Sequence, residues 1–286
     1  MAPLCKGSWQ PAGRTEGLSV PRSIPPTRFA GHLPLHKGGS TTQKQEVSLL
    51  KEIIKNGLSE LNLLDKVPEN AAEQLARYGQ LLIEKNEVMN LTAITDPDQV
   101  AKLHMLDCAA LLNCADFKGK TLIDVGTGAG FPGLPLKILV PELEIVLLDS
   151  LNKRVNWLNE VIAELGLTGI KAIHARAEEQ ALVKGYRDSF DFVTARAVAD
   201  LRLLGEICLP YAKVGGTFLS MKSVGSDEEL QNAAHAIKFM GGRVRGCEDY
   251  TIPGTDVTHR VLFIDKVAPT LKGYPRRWAK IQKDPL

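Results

Sequence analysis

The chain has 286 residues, 44% hydrophobic and 24% charged, with a formal net charge of +2 at pH 7. That is the balance of an ordinary soluble globular protein, and no apolar run approaches the ~20 residues of a membrane-spanning helix. Five cysteines without a CxxC pair exclude a disulfide scaffold and point to a reducing compartment without structural zinc, and the small net charge means that a nucleic-acid partner must be met by a local patch.

Residues 1–45 hold six of the sixteen prolines, eight Ser/Thr and six Lys/Arg against a single acid, Glu16. The prolines interrupt any helix, no periodicity emerges, and no continuous apolar core of a secretory signal is present. This is expected to be a disordered, transit-like segment. A plastid is preferred to a mitochondrion, with the cytoplasm as the other alternative, because the opening lacks an amphipathic Arg-rich helix.

Residues 46–118 read as a helical block. Val47, Leu50, Ile54, Leu58 and Leu61 fall at helical spacing, and Gly57 is expected to end or break that helix. Leu75, Tyr78, Leu82 and Met89 mark a second helix entered through Pro68-Glu69-Asn70. Asp96 as N-cap and Pro97 at the first helical position open a third.

After Gly119 strands alternate with helices. Segments 121–125, 145–149, 170–176, 191–196 and 217–221 read as short apolar strands of a parallel sheet covered on both faces. Helices are expected at 152–165, about 198–209 and 226–240. Two strand-like pieces, 243–250 and 260–267, flank a Pro-Gly turn. The pattern predicts a doubly wound, Rossmann-like α/β sheet over 119–268, mostly parallel with a closing antiparallel hairpin, followed by a basic tail over 269–286.

The main chemical feature is Asp124-Val-Gly126-Thr-Gly128-Ala-Gly130-Phe131-Pro-Gly133, an apolar strand running into a glycine turn that opens a helix. Glycines let the backbone turn tightly and approach a ligand. Asp149 ends the next strand about twenty residues on, where a carboxylate can accept from two ribose hydroxyls. The dinucleotide pattern would need glycine at Phe131, which disfavours a nicotinamide dehydrogenase. The G-x-G-x-G form with Asp124 ahead of it suits S-adenosylmethionine, with Asp124 expected to hold the positive end of the methionine moiety.

These motifs resemble those of the RsmG (GidB) family of methyltransferases. The likeness runs from about Gln74 onward through Asn90-Leu-Thr-Ala-Ile, His104-Met-Leu-Asp107, Asp124 to Leu136, Leu148-Asp-Ser-Leu-Asn-Lys-Arg-Val, Arg176-Ala-Glu-Glu, Thr194-Ala-Arg196-Ala and Tyr274-Pro-Arg-Arg. The resemblance implies methylation of N7 of a guanine in the decoding-region loop of 16S ribosomal RNA, with S-adenosylmethionine as cofactor. It implies cofactor contacts at Gly126, Phe131, Ala177, Glu178 and Arg196. Departures lie at Lys85, Leu103, Cys108, Ser223 and Trp278-Ala-Lys; none removes a cofactor group.

Guanine N7 carries an in-plane lone pair, so the transfer needs in-line geometry more than a general base. Arg196 is expected to position the guanine O6 edge or a phosphate, with Lys153, Arg154 and Arg176 as further candidates. His104 and Asp107 share a helical face. They either line the acceptor pocket with Asn90 or tie the helical block to the sheet. Asn90 has the alternative of ending a helix. The basic ending, with Lys266, Lys272, Arg276, Arg277, Lys280, Lys283 and the aromatics Tyr274 and Trp278, either meets RNA or packs on the sheet. A monomer acting on the small ribosomal subunit is expected. The rivals are a same-fold methyltransferase for another substrate and a non-catalytic ribosome-assembly factor.

Overall fold

A computed structural model describes residues 41–286; most of the transit-like segment lies outside the described residues. Helix α1 (Thr41–Glu60) already starts before the expected boundary at 45. Its stripe Leu50, Ile54 and Leu58 is buried. Gly57 does not break it, contrary to expectation. A Cβ there would lie 2.1 Å from Cδ1 of Leu106, so this glycine permits a close approach between α1 and the third helical run. Helix α2 (Ala71–Asn86) follows Asn70 and buries Leu75, Tyr78 and Leu82.

The third run starts as expected. In α3 (Pro97–Val100), Asp96 caps the first turn by accepting from the Gln99 backbone N–H. The run then widens into a π-helical segment, Ala101–Leu106. It resumes as α4 (Asp107–Ala109) and α5 (Leu111–Cys114). π segments recur at functional sites, and this one carries His104.

Seven strands form one sheet: β1 (Thr121–Val125), β2 (Glu144–Asp149), β3 (Ile170–His174), β4 (Phe190–Arg196), β5 (Ala212–Ser223), β6 (Gly242–Thr251) and β7 (Thr258–Lys266), in the order β3-β2-β1-β4-β5-β7-β6. The first five pair in parallel. β7 runs antiparallel to both β5 and β6, giving the expected hairpin. The strand order reverses at β1/β4, so the crevice beyond the carboxyl ends of those strands is the ligand position of a doubly wound sheet.

Alternation along the strands divides the core. Leu122, Ile145, Leu147, Leu219 and Phe263 face the helical block, α6 (Gly133–Leu139) and α7 (Asn152–Glu164). Ile123, Val125, Val193, Phe218 and Ile264 pack against α9 (Leu201–Cys208), α10 (Asp227–Phe239) and α11 (Trp278–Lys283). β3 is an edge strand with no fully buried residue, followed by α8 (Ala177–Gln180).

The carboxyl end is docked, not a free basic tail. Arg276 donates from Nε and Nη2 to the Glu206 carboxylate at 2.8 and 2.6 Å. Arg187 donates to the carbonyls of Thr270, Leu271 and Tyr274. The Lys266 ammonium, fully buried, donates to Leu209 O at 2.8 Å and to Thr270 Oγ1, and burial pulls its pKa down to about 8 despite Asp188 nearby. Tyr274, Trp278 and Ile281 join the core beneath α9 and α10. Lys266 and Arg276 are therefore structural; Lys272, Arg277, Lys280 and Lys283 stay exposed.

Candidate active site

The glycine turn leaves β1 against the end of β2: the N–H groups of Gly126 and Thr127 both donate to Leu148 O, at 2.8 and 3.0 Å. Gly126 and Gly128 have φ of +70° and +60°, left-handed values that cost L residues ~1–2 kcal/mol. A Cβ on Gly128 would meet nothing nearer than the Gly126 carbonyl at 3.9 Å. That face of the turn is open to a ligand. One on Gly126 would lie 2.9 Å from Val198 in the segment after β4, which brings the ends of β1 and β4 into contact. Asp149 ends β2 as expected and accepts from Gly128 N–H at 2.9 Å and Leu151 N–H at 2.8 Å. Arg154 approaches it at 3.5 Å. Its carboxylate is thereby fixed beside the open face of the turn.

Asp124 has a fastening task within the fold. It is fully buried, and one oxygen accepts from the Thr127 hydroxyl at 2.6 Å and Gly133 N–H at 3.1 Å. The other accepts from the Thr194 hydroxyl at 2.9 Å. It ties the turn, the start of α6 and β4 together. Burial drives its pKa up to about 7 against these hydrogen bonds. Gly130, with φ +105°, has no room for a side chain because a Cβ would lie 2.6 Å from Leu134 and 2.8 Å from the Tyr78 hydroxyl. That hydroxyl donates to Ala129 O, fastening α2 to the turn.

Ala177 and Glu178 lie after β3 at the same edge. The Tyr211 hydroxyl donates to Ala177 O at 2.6 Å. Glu178 is buried and receives Arg176 Nε at 2.7 Å. Arg176 is thus engaged by its neighbour, and Arg154 is drawn toward Asp149; of the three further cations, Lys153 is the exposed one without an ion pair among the described residues.

Arg196 ends β4, and its side chain is only 17% exposed. Nη1 donates to Asp107 Oδ2 at 2.9 Å and to Leu103 O at 3.3 Å. Nη2 donates to His104 Nδ1 at 3.1 Å. Since guanidinium has no acceptor, His104 must accept at Nδ1 and donate from Nε2 to the Thr92 hydroxyl, 2.8 Å away. Burial, reinforced by the Arg196 charge, lowers the His104 pKa to about 3. His104 is a neutral orienting group rather than an acid. Asp107 is fully buried. Burial opposes its ionisation, but hydrogen bonds and charge from His259 and Arg196 outweigh that and hold its pKa below the usual range. Its Oδ1 accepts from the Tyr250 hydroxyl at 2.9 Å and His259 Nδ1 at 2.8 Å.

Phe131, just past the glycine turn, is packed into the core. It is 5% exposed, stacked on His104 with centroids 4.5 Å apart, and the Arg196 guanidinium lies 4.7 Å from its centroid. It forms the floor under the Arg196–His104 plane. Asn90 stands in the loop after α2, exposed and without a hydrogen bond among the described residues. Asn86 organises that loop, its carboxamide oxygen accepting from Leu91 and Thr92 N–H. His104 and Asp107 do tie the helical block to the sheet, both through Arg196. Sequence reasoning missed Thr127, Thr194, Tyr250 and His259. Thr194, Tyr250 and His259 act on residues 70, 143 and 152 positions away, which no local pattern marks, whereas Thr127 sits inside the glycine motif, three residues from Asp124.

The glycine turn after the first strand, the carboxylate ending the second and the strand order define a Rossmann-like protein of the class I methyltransferase type. The family model described as GidB, rRNA small subunit methyltransferase G, matches residues 71–252, and the chain belongs to that family. Ribosomal RNA small subunit methyltransferase G of Clostridium perfringens (strain 13 / Type A) is 46% identical over 219 residues, 76% of this chain and 92% of the relative. The protein of that name from Alkaliphilus metalliredigens is 45% identical over 237 residues, covering 82% and 98%. The one from Lachnoclostridium phytofermentans is 49% identical over 215 residues, covering 75% and 89%.

Proposed function

We propose that this protein transfers a methyl group from S-adenosylmethionine to N7 of a guanine in the decoding-region loop of small-subunit ribosomal RNA. The observation that carries the reading is the meeting of two features at one sheet edge. One is the open glycine turn with Asp149 beside it; the other is the partly exposed guanidinium of Arg196 at the end of the neighbouring strand β4.

The residues present fit the cofactor. Gly126 and Gly128 leave the turn without side chains, Asp149 is an acceptor for ribose hydroxyls, and Ala177 and Glu178 close the adenine end. The cofactor supplies an electrophilic methyl on a sulfonium. The chain supplies orientation. Arg196 has three of its five donors engaged by Leu103, His104 and Asp107. Nε–H and one Nη2–H have no partner among the described residues, and these suit the O6 edge of a guanine or a phosphate. A lone pair at N7 requires no proton removal, which agrees with a neutral His104 and with carboxylates held in internal hydrogen bonds. Exposed Lys153, Lys272, Arg277, Lys280 and Lys283 are candidates for phosphate contact.

The composition of residues 1–45 supports plastid targeting, and the enzyme is taken to act as a monomer on the assembled subunit or its RNA. Methyl-labelled S-adenosylmethionine and undermethylated small subunits test the function. Label in the RNA, lost in Arg196→Ala while cofactor binding persists, supports it; cofactor binding without RNA label rejects the substrate. A fluorescent fusion of residues 1–45 tests the address, with cytoplasmic fluorescence as the refuting result.

A further inference from the structure

We propose that Tyr250 and His259, on the carboxyl-terminal hairpin, are positioning residues for methyl transfer that act through Asp107 on Arg196. The proposal rests on the functional reading above and deepens it.

The Asp107 carboxylate divides its two oxygens between two parts of the fold. Oδ2 receives Arg196; Oδ1 receives Tyr250 at 2.9 Å and His259 at 2.8 Å. Tyr250 and His259 are cross-strand partners in β6 and β7, with their rings edge to face at 6.4 Å. Their height in the sheet is set by pairing. His259 lies opposite Ser223 of β5, and Met221, two residues earlier in β5, is the partner of Arg196. The antiparallel direction of β7 brings its first residues to the edge where the parallel strands end. The hairpin thus reaches the reacting edge, although its strands lie on the far side of β5 from the glycine turn.

This arrangement does more than bury polar groups. A carboxylate held by two fixed donors on one oxygen can rotate little about its Cβ–Cγ bond, so the other oxygen presents one direction to Arg196. Arg196 is also held by Leu103 O and His104, with the Phe131 ring beneath the guanidinium. Apolar groups of similar size would join the same elements at no greater cost. What they could not do is aim a guanidinium, and reacting groups need placement within roughly half an ångström. His259 also lies beyond the segment that matches the family model.

The test uses the full chain, undermethylated small subunits and methyl-labelled S-adenosylmethionine. It compares Tyr250→Phe, His259→Leu and His259→Asn, the last of which keeps a donor near the Nδ1 position. Misplacement by about 1 Å costs roughly 100-fold in rate, so losing one of two holds on Asp107 is expected to lower kcat about tenfold. Cofactor Kd and the KM for subunits should stay within about twofold, and His259→Asn should recover most of the rate lost in His259→Leu. The Arg196 guanidinium is read independently by nitrogen NMR. Its Nη signals should show hindered rotation in the wild type and faster rotation in Tyr250→Phe and His259→Leu. Unchanged kcat in both variants, or Arg196 signals that do not move, overturns the proposal. A wild type that methylates no subunit overturns the functional reading instead, and the NMR comparison then still decides whether the hairpin orients Arg196.

Discussion

Removing the Asp107 carboxylate and removing its partner Arg196 should have strongly non-additive costs. Asp107 is fully buried and the Arg196 side chain is 17% exposed, so screening by water is weak. In Asp107→Ala the guanidinium keeps Leu103 O and His104 but loses its counter-charge, while Tyr250 and His259 lose their acceptor. Stripping one partner from a buried pair costs about 3–5 kcal/mol, and the value here belongs at the upper end because two further donors are orphaned as well. Arg196→Met leaves the carboxylate with Tyr250 and His259 and should cost about 3 kcal/mol. In the double variant no unpaired charge remains. The two costs should then fall short of additivity by about 2 kcal/mol or more, within the range of contacting residues. Equilibrium urea unfolding at pH 7, with unchanged slopes confirming a common unfolding reaction, measures this. Additivity within about 0.5 kcal/mol would refute the argument that the pair is coupled in a poorly screened site.

Opposed pH effects are expected from two buried groups. Asp124, raised from 3.8 to about 7, binds its proton more tightly when folded, so its contribution falls as pH rises from about 4 to 7. His104, lowered from 6.5 to about 3, binds its proton less tightly when folded, so its contribution grows as pH rises from about 3 to 6.5. Relative to wild type, urea stability should rise more steeply with pH over 4–6.5 in Asp124→Asn and less steeply in His104→Gln; identical profiles would contradict both assignments. Gly57→Ala gains about 1 kcal/mol of helix propensity but must displace Leu106 in a full core, at about 1–3 kcal/mol. A lower melting temperature is expected, and a clear rise would show that Leu106 moves freely. Arg276→Ala strands Glu206, whose side chain is 0% exposed, and should cost about 3–5 kcal/mol. Lys280→Ala should change stability by less than about 0.5 kcal/mol while reducing the salt dependence of subunit binding. Gly128→Val should weaken S-adenosylmethionine binding at least about tenfold by calorimetry, whereas Gly119→Ala, strained but remote from the turn, should leave it unchanged.

Features written in short stretches of sequence were legible. Asp96-Pro97 opens α3, the glycine turn follows β1, Asp149 closes β2, and the hairpin pairs around its Pro-Gly turn. In each, the deciding interaction spans a few residues or a fixed periodicity. Gly57 misled because local propensity marks it as a breaker, while its use is set by Leu106 on another helix. The partners of Asp107 are separated from it by 89, 143 and 152 residues, and no spacing rule relates residues that only the sheet brings together. The basic carboxyl end showed the same limit. Its composition left open whether it meets RNA or packs on the sheet; Tyr274 and Trp278 do pack on the core, but that Arg276 finds Glu206 and Lys266 finds Leu209 O across the fold is not written locally. Phe131 and Asp124 were recognised as site residues from their motif; their tasks, a floor for Arg196 and a fastening for the turn, depend on neighbours that the motif does not contain.

The most direct measurement is nucleotide-resolution mapping of the methyl group after reaction of the purified enzyme with undermethylated small subunits. Chain cleavage specific for N7-methylguanine, at a single guanine of the decoding-region loop and absent with Arg196→Ala, is the predicted result. Methylation at another position or at many guanines, or none by an enzyme that binds S-adenosylmethionine, would contradict the account.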